Sequence, residues 1–457
     1  MACNMLDSSL YRNSFSTPVM REIFDDKSIM QNILDIEAAL AATQGEMGLI
    51  PKEAAEEICK KAKAENLDFA RVEAGVNKVG HSLVPILREF QTVCEGNLGE
   101  YVHMGATTQD IIDTAFMLAM KRGVEVIYKD MLETEVLLCN TAEKYRDTIM
   151  PGRSHTQQAL PITFGYKVAV WASEHRRNIE RLEECMKRCF VGEMAGAVGT
   201  MAGFGPDGLE VCRRTIERLG LSVPDVAWHT SRDRIAEICT TLTIIAYSYG
   251  KMGAELASMQ MTELSEVAEG FVKGSVGSST MPHKRNPNTL ESLQMLARLI
   301  KGDTEAAIES MFCAHERDGA LWKIEWKAAN EVVILAGSSS MRAKKVFANL
   351  TVNARKMRED LDILKGLMQS EGIMLELGKK VGKQTAHSIV YQVCMDTFEQ
   401  NADFCEMLLK NETVASCMTE EEIRGILNPE GYTGLSGEIV DQVVRNVRAA
   451  HAKYENQ

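Results

Sequence analysis

Apolar residues recur at helical spacing along most of the chain. Between residues 110 and 147 the apolar positions advance by four and three residues in alternation, through Ile112, Phe116, Ala119, Gly123 and Val126. This spacing is typical of a helix that buries one face in a bundle. A helix of about 38 residues would extend roughly 57 Å. Such a length favours a rod in a multi-chain bundle over a compact monomer.

Proline is scarce, which supports the prediction of long helices. The chain has 10 prolines, and four long stretches have none: residues 86–150, 162–205, 225–281 and 288–428. A proline inside a helix costs about 3 kcal/mol, so these stretches permit very long helices. Strand signals are weak, because β-branched runs such as residues 242–245 lie within helical periodicity.

The predicted fold is therefore all-α, with three helical domains around a central long-helix bundle. The length of 457 residues is too great for one compact core. We predict a helical N-terminal domain over residues 1–109, a long-helix bundle over residues 110–355, and a small helical C-terminal domain over residues 356–457.

Charge and composition exclude several classes of protein. The net charge of −13 argues against a nucleic-acid partner, because phosphate binding requires a basic stripe. No segment approaches 18 uninterrupted apolar residues, so no membrane span is expected. The first residues lack a basic region followed by an apolar one, so no secretory signal is expected, and the prediction is a cytoplasmic protein.

Metal ions and cofactors are not expected from the motifs. The 12 cysteines are scattered; Cys185-x-x-x-Cys189 is the nearest pair, without a second pair or a histidine cluster at ligand spacing. We interpret these cysteines as buried free thiols in a reducing cytosol. The nine histidines show no His-x-x-x-His pair, which argues against a metal-dependent hydrolase. Neither a dinucleotide-binding fingerprint nor a phosphate-binding loop is present, so we predict no cofactor.

The most informative segment is Gly-Ser-Val-Gly-Ser-Ser-Thr-Met-Pro-His-Lys-Arg-Asn-Pro, at residues 274–287. Its glycines, serines and two prolines predict a loop. Serine hydroxyls beside Lys284, Arg285 and Asn286 suit a mobile lid that accepts an anion. The alternative is a surface linker, although a linker rarely concentrates these residue types.

Residues 277–287 resemble the signature loop of the fumarase/aspartase superfamily, in the form typical of its adenylosuccinate lyase and carboxymuconate cycloisomerase branch. Two further segments agree with this resemblance. Residues 103–110, His-Met-Gly-Ala-Thr-Thr-Gln-Asp, resemble the first signature region of the family, and residues 152–161, Gly-Arg-Ser-His-Thr-Gln-Gln-Ala-Leu-Pro, resemble the second. The three segments occur in the family's order. The chain is thus identified as a member of this superfamily.

The resemblance implies a lyase that eliminates a group beside a carboxylate-bearing carbon. A base removes a proton from the carbon, and most of the barrier falls by stabilising charge on the neighbouring carboxylate. The resemblance assigns the base to Ser278, with Ser279 as the second choice. It assigns the acid to His155, for which a turn cap is the alternative. His81 matches a second histidine that the family holds near the acid. The alternative is a structural role for His81, with its ring hydrogen-bonded at the start of a helix.

Other residues are implied as substrate contacts. Thr107 and Thr108 would bind a carboxylate at a helix N-terminus, although simple capping by Thr108 or Asp110 is the alternative. Lys284 and Asn286 would bind the substrate carboxylate, and Glu291 would orient the acidic histidine. Three further candidates for substrate binding are His103, Gln157 and, more weakly, Arg12.

The substrate prediction rests on departures from the family pattern. Where adenylosuccinate lyases have serines and an arginine that bind the nucleotide phosphate, this chain has Trp322, Lys323 and Trp326. These residues, and the segment at residues 428–434, instead resemble the corresponding segments of the carboxymuconate cycloisomerases. The chain nevertheless keeps both His81 and His155. We predict a non-nucleotide substituted aspartate, cleaved to fumarate and an amine, with the cycloisomerase and adenylosuccinate lyase activities as alternatives.

The resemblance also implies an assembly. Superfamily members form homotetramers with a twenty-helix core, and each site combines the three segments from three different subunits. His103 and Thr107, His155, and Ser278 would then meet only across chains. A non-enzymatic structural protein recruited from a lyase is a further alternative, but it would tolerate loss of Ser278, His155 or Lys284, and all three are present.

Overall fold

A computed structural model describes residues 4–271, 278 and 280–454 of the chain. This part of the chain contains eighteen α-helices and four short strands, which confirms the predicted all-α fold. The helices of the N-terminal half are α1 Pro18–Phe24, α2 Asp26–Glu46, α3 Lys52–Lys61, α4 Phe69–Val79, α5 Val84–Val93, α6 Thr108–Lys144, α7 Phe164–Cys189 and α8 Gly208–Arg218. The others are α9 Asp233–Met259, α10 Asn288–Glu309, α11 Gly319–Asn349, α12 Ala354–Asp360, α13 Ser370–Val381, α14 Lys383–Glu399, α15 Phe404–Lys410, α16 Glu412–Cys417, α17 Glu420–Leu427 and α18 Ser436–His451.

The long helix predicted from the apolar spacing is confirmed as α6, which has 37 residues. Its apolar face is buried: Ile112 and Ala119 are at most 5% exposed. Gly123 lies where α11 packs closely against this face, since a Cβ there would come within 2.6 Å of Val333 Cγ1. The β-branched run at residues 242–245 is helical, within α9, as its periodicity predicts.

The chain folds into two compact units, each built from separated segments. The first unit comprises the chain up to Met131, Asn178–Gly250 and Ser292–Arg342. The second comprises Leu132–Arg177, Lys251–Glu291 and the chain from Ala343 onward. The division into three domains at residues 109 and 355 stays a prediction.

Two antiparallel strand pairs lie in the second unit, and the sequence signals did not reveal them. Strand β1 (Ile149–Ser154) pairs with β2 (Gln157–Thr163) as a hairpin, with an irregularity between Pro151 and Arg153. Strand β3 (Val267–Ala268) pairs with β4 (Thr351–Val352). Each strand is too short for its residue pattern to stand out between long helices.

Helices α13 to α17 share a core of their own within the second unit. Its members are the buried apolar side chains Ile373, Leu377, Ala386, Val390, Val393, Phe404, Cys405, Leu408, Val414, Met418 and Ile423.

None of the helices in the described part of the chain combines the length and the apolar character needed to cross a bilayer.

Candidate active site

His103 is held in the first unit by a buried carboxylate. Glu37, on α2 and 1% exposed, accepts hydrogen bonds from the His103 backbone N–H at 2.9 Å and from the ring Nδ1 at 2.7 Å. Burial disfavours the charged imidazole, but the hydrogen bond to Glu37 and its charge outweigh this and raise the pKa of His103. The ring is therefore oriented and biased towards its cationic form, which suits contact with an anion.

The loop before α6 presents two threonines at a helix N-terminus. Gly105 has φ +83° and packs against Phe204, where a Cβ would come within 2.6 Å of the ring. Thr107 donates its backbone N–H to Asp110 Oδ2 at 3.0 Å, and α6 begins at Thr108. Because Asp110 caps this end, the half-buried threonine hydroxyls remain suited to a substrate carboxylate. Asp110 thus has the capping role that the sequence left open.

Behind this loop lies a buried network that sequence analysis missed. Asp110 also accepts the N–H groups of Ala195 and Gly196 at 3.0 and 2.9 Å, and the His229 ring Nε2 lies 2.9 Å from its Oδ1. Nearby Glu193 is fully buried, and burial together with the charge of Asp110 raises its pKa to about 9. The raised pKa favours the protonated form of Glu193 at neutral pH, which lessens the negative charge behind the loop.

The tryptophans that replace the expected phosphate-binding residues are packed inside the first unit. Trp322 is 8% exposed and donates its Nε1–H to Asp113 Oδ1 at 2.7 Å. Its ring meets that of Trp326 edge to face, with centroids 4.7 Å apart, and Trp326 also contacts Phe116. Lys323 is exposed. Trp322 is therefore a core residue and Trp326 is half-buried, so indole rings occupy these two positions in place of phosphate ligands.

A largely apolar cavity of about 450 Å³ lies beside Trp326 in the first unit. Phe24, Ile112, Phe116 and Ser82 are among its lining residues. None of the predicted site residues lines it in the part of the chain that the structure describes. The cavity is therefore separate from the predicted catalytic groups of the first unit, although Ser82 adjoins His81.

His81 caps a helix, which is the alternative that the sequence left open for it. Its Nδ1 accepts the backbone N–H groups of Leu83 and Val84, both at 3.2 Å, at the start of α5. An accepting Nδ1 requires the ring proton to lie on Nε2 in the neutral form. His81 can therefore cap the helix through Nδ1 and still donate a hydrogen bond through Nε2. Arg12, at the start of a short 3-10 helix, is exposed.

His155 occupies the tip of the hairpin between β1 and β2 in the second unit. The two-residue turn consists of His155 and Thr156, with φ angles of +49° and +66°. Positive φ at both central positions is typical of a type I′ turn, which is uncommon without asparagine or glycine. The His155 side chain is exposed, and Gln157 next to the turn is exposed as well. The hairpin thus presents the imidazole at its end instead of burying it as a structural residue.

An ion pair holds this hairpin in place. Arg153, two residues before His155, donates to both carboxylate oxygens of Glu266 at 2.9 and 2.8 Å. Glu266 is fully buried and directly precedes β3. On the other strand, Gln158 donates to the Asp360 carbonyl at 2.9 Å. Both strands of the hairpin are therefore fixed close to the turn.

Ser278 lies half-buried with two backbone donors on its hydroxyl oxygen. The N–H groups of Thr280 and Met281 point to Ser278 Oγ, at 3.3 and 3.0 Å. Ser279 and residues 272–277 lie outside the described residues. Two amide donors would stabilise negative charge on Oγ, which lowers the cost of ionising a hydroxyl.

The cationic end of the signature loop is accessible. Lys284 is exposed, in a turn where its N–H bonds to the Met281 carbonyl at 3.0 Å, and Asn286 is half-buried. Glu291 is exposed in the first turn of α10.

Glu269 links the two ends of this loop, a role that no sequence signal indicated. Its carboxylate accepts the N–H of Thr289 at 2.9 Å and that of Leu290 at 3.1 Å. Gln260 adds a second link: it accepts the Glu269 N–H at 2.9 Å and donates to the Arg285 carbonyl at 3.3 Å. The base of the loop is therefore fixed where it joins α10.

The candidate residues thus form two groups within one chain. The first unit holds His103, Thr107, Thr108, His81 and Arg12, and the second holds His155, Gln157, Ser278, Lys284, Asn286 and Glu291. Within the described residues, each group lies where side chains are at least partly accessible.

Comparison with known proteins decides the family. A family model described as "Lyase" matches residues 12–302, and a model for the adenylosuccinate lyase C-terminus matches residues 366–443. The chain belongs to the fumarase/aspartase superfamily of lyases. An N-acetyl-S-(2-succino)cysteine lyase from Dickeya dadantii is 39% identical to this lyase over 445 residues, 97% of this chain and 98% of that one.

Other similar proteins carry different names. An adenylosuccinate lyase from Methanocaldococcus jannaschii is 41% identical over 437 residues, which is 95% of each chain. Among solved structures, a 3-carboxy-cis,cis-muconate lactonizing enzyme from Pseudomonas putida has a TM-score of 0.91 and 31% identity, covering 97% of this lyase and 99% of that chain. The sequence-based assignment to this branch of lyases is confirmed.

Proposed function

We propose that this lyase eliminates a substituent from the succinyl group of a non-nucleotide substrate and releases fumarate. The observation that carries the proposal is the pair of amide donors on Ser278 Oγ, at 3.3 and 3.0 Å. Serine accepts a proton from carbon only as its alkoxide, and these two amide donors would stabilise that anion. Lys284, six residues further along the loop, adds positive charge near the reacting group.

The proposed reaction is a two-step elimination. Ser278 first loses its hydroxyl proton to solvent. The alkoxide then removes the proton from the carbon next to a carboxylate, and the electron pair of the C–H bond spreads into that carboxylate. Thr107, Thr108, Lys284 and Asn286 bind the resulting dianion. The pair then forms the carbon–carbon double bond while the bond to the leaving atom breaks.

His155 is the proposed acid in the second step. It donates its proton to the departing heteroatom, and its exposed place at a hairpin tip leaves the imidazole accessible to a substrate held by other subunits. His81 and His103 would hold carboxylates or orient the acid. In the proposed homotetramer, these groups come from three subunits and meet around one substrate.

The leaving group is proposed to be small and free of phosphate. Trp322 and Trp326 pack with each other where a nucleotide-binding lyase of this branch would place phosphate ligands, and Trp322 is committed to Asp113. Two relatives, 39% and 41% identical over 97% of the chain, are named N-acetyl-S-(2-succino)cysteine lyases. A thioether of succinate is therefore the first candidate substrate, and an N-substituted aspartate is the second.

Ultraviolet absorbance of fumarate tests the substrate. The panel comprises N-acetyl-S-(2-succino)cysteine, several N-substituted aspartates, adenylosuccinate and carboxymuconate. We expect fumarate from a non-nucleotide succinyl compound, loss of at least about 10²-fold in kcat for Ser278→Ala, and unchanged rates for Ser258→Ala on the exposed face of α9. Turnover of carboxymuconate alone would make the enzyme a cycloisomerase, and turnover of adenylosuccinate alone would make it a purine enzyme.

Mixing inactive variants tests the shared site. Ser278→Ala and His155→Ala tetramers, dissociated, mixed and reassembled, are expected to regain part of the activity because some sites would contain both native residues. Reassembly of Ser278→Ala with itself is the control. Confirmed hetero-tetramers without any activity would contradict both the subunit sharing and the roles given to these two residues.

A further inference from the structure

Two thiols and a carboxylate meet between α7 and α9 in the first unit, and none of the three belongs to the proposed site. Cys185 and Cys189 lie one turn apart at the end of α7, and their sulfur atoms are 3.7 Å apart. Glu237, in the second turn of α9, places Oε2 3.4 Å from Cys189 Sγ. The ligand atoms of the three residues lie within 4.8 Å of one another.

These separations match those of a tetrahedral metal site. With zinc–sulfur bonds of about 2.3 Å and a zinc–oxygen bond of about 2.1 Å, tetrahedral angles place two sulfurs about 3.8 Å apart and each sulfur about 3.6 Å from the oxygen. The observed Cys185–Cys189 and Cys189–Glu237 separations are 3.7 and 3.4 Å. Thr241 lies one turn beyond Glu237 on the same helix, and its hydroxyl interacts with Cys185.

We propose that Cys185, Cys189 and Glu237 bind a thiophilic divalent cation such as Zn²⁺, as a structural site that joins α7 to α9. A hydroxyl from Thr241 or a water molecule would fill the fourth position. Each thiol releases its proton to solvent as its sulfur bonds to the metal, so the step involves no change of oxidation state.

The surroundings balance the charge of such a site. Two thiolates, one carboxylate and a divalent cation sum to a charge of −1. Arg188, between the two cysteines, donates through Nε to both Glu237 oxygens at 2.7 and 2.9 Å and supplies a compensating positive charge. This pair also orients the carboxylate, as hydrogen-bonded neighbours of metal ligands commonly do. The C-terminal end of α7 carries partial negative charge, which further favours a cation.

Burial and access suit a structural metal rather than a surface contaminant. The two cysteines are 1% and 0% exposed, so the bound ion would be shielded on the sulfur side. The Glu237 side chain is 31% exposed and Arg188 is 58% exposed, which leaves a path from solvent to the ligands. Such an arrangement admits an ion and then retains it between the helices.

Cadmium titration of the full-length chain tests the proposal. The protein is kept reduced with a phosphine, treated with a chelator and titrated with Cd²⁺, while thiolate-to-cadmium charge transfer is followed in the ultraviolet. We expect one tightly bound Cd²⁺ per chain with the absorbance of two thiolates, displaced by Zn²⁺. Cys185→Ser or Cys189→Ser should abolish this tight step, and Glu237→Gln should weaken it at least about tenfold.

Matched variants separate this site from the other thiols of the chain. Cys59→Ser removes an exposed thiol on α3, and Glu210→Gln removes a carboxylate on α8 that also pairs with arginine. Both should bind Cd²⁺ as the wild type does. An unchanged tight step in Cys185→Ser, or no tight step in the wild type, would overturn the proposal.

X-ray absorption of the wild-type protein loaded with one equivalent of Zn²⁺ covers the case in which a cysteine variant fails to fold. Two sulfur neighbours per zinc would support the site, and any other sulfur count would overturn it. Glu237 is partly exposed, so Glu237→Gln should fold and still report on the carboxylate ligand. Loss of zinc affinity in that variant supports the site, and wild-type affinity contradicts it.

Discussion

Replacing Arg232 with methionine is expected to destabilise the first unit strongly, because the variant leaves two buried carboxylates without their shared cation. Arg232 is 2% exposed and donates to Asp113 at 2.7 and 3.1 Å and to Glu325 at 2.8 Å. Asp113 and Glu325 are themselves 3% and 4% exposed. The cluster joins α6 and α11 to the residue directly before α9, so its loss affects three helices together.

The expected magnitude follows from the burial of all three groups. Removing one partner of a buried ion pair costs about 3–5 kcal/mol, because the charge left behind is neither solvated nor paired. Arg213 on α8 provides the matched control, since it also contacts two carboxylates, Glu210 and Glu217, but its side chain is 45% exposed. Water can solvate those carboxylates when Arg213 is replaced, so Arg213→Met should leave the stability close to that of the wild type.

The loss should also depend on pH. Burial already raises the pKa of Glu325, against the opposing hydrogen bond and charge of Arg232. Without Arg232, the folded state should hold a proton on Glu325 that the unfolded state releases near its ordinary pKa. The folded state then binds more protons, so its stability falls as pH rises. Arg232→Met should therefore lose less stability at pH 5 than at pH 8.

Urea unfolding followed by far-ultraviolet circular dichroism measures these effects at one fixed protein concentration, because the stability of the proposed oligomer would depend on concentration. The triple variant Asp113→Asn, Arg232→Met, Glu325→Gln should recover part of the loss, since it no longer buries an unpaired charge. Equal midpoint shifts for Arg232→Met and Arg213→Met, or a shift independent of pH, would refute this reasoning.

Two further predictions concern other buried or capping carboxylates. Glu193 has its pKa raised to about 9 from an ordinary value of 4.5, so the wild type should lose stability as pH rises from about 5 to 9, while Glu193→Gln should show a flatter dependence in urea midpoints. A slope equal to that of the wild type would mean that Glu193 is ionised in the fold. Glu269→Gln should weaken the N-terminus of α10 by about 1 kcal/mol, because the charged acceptor of the Thr289 and Leu290 amides is lost. Hydrogen exchange of those amides should then accelerate relative to the control Glu263→Gln, an exposed carboxylate nearby, and equal exchange in both variants would contradict the role of Glu269.

Local sequence signals were sufficient for the long helix α6, the all-α class and the family. The apolar spacing from Ile112 to Val126 predicted α6 because a helix buries residues three and four apart, and this depends only on neighbours in sequence. The family followed from residues 277–287, where the chemistry is concentrated in one continuous segment. Both kinds of information are present within a window of a few turns.

The hairpin that presents His155 was not predictable in the same way. Its strands have six and seven residues, and its turn has no Asn-Gly or Asp-Gly pair although both turn residues have positive φ. The Arg153–Glu266 ion pair, 113 residues apart in sequence, helps to hold this hairpin in place. A contact over that distance leaves no periodic trace in the sequence.

The sequence by itself determined the all-α class, the long helices and the superfamily, because each depends on local spacing or on a continuous motif. Tertiary structure alone decided which side chains these carboxylates contact. Glu37 accepts hydrogen bonds from His103, 66 residues away in sequence, and Glu237 approaches Cys189, 48 residues away. In a sequence rich in acidic residues, the identity of a glutamate does not indicate which residue it contacts in the fold. The partner is set by how the helices pack, since burial makes an unpaired charge costly and so selects which groups meet.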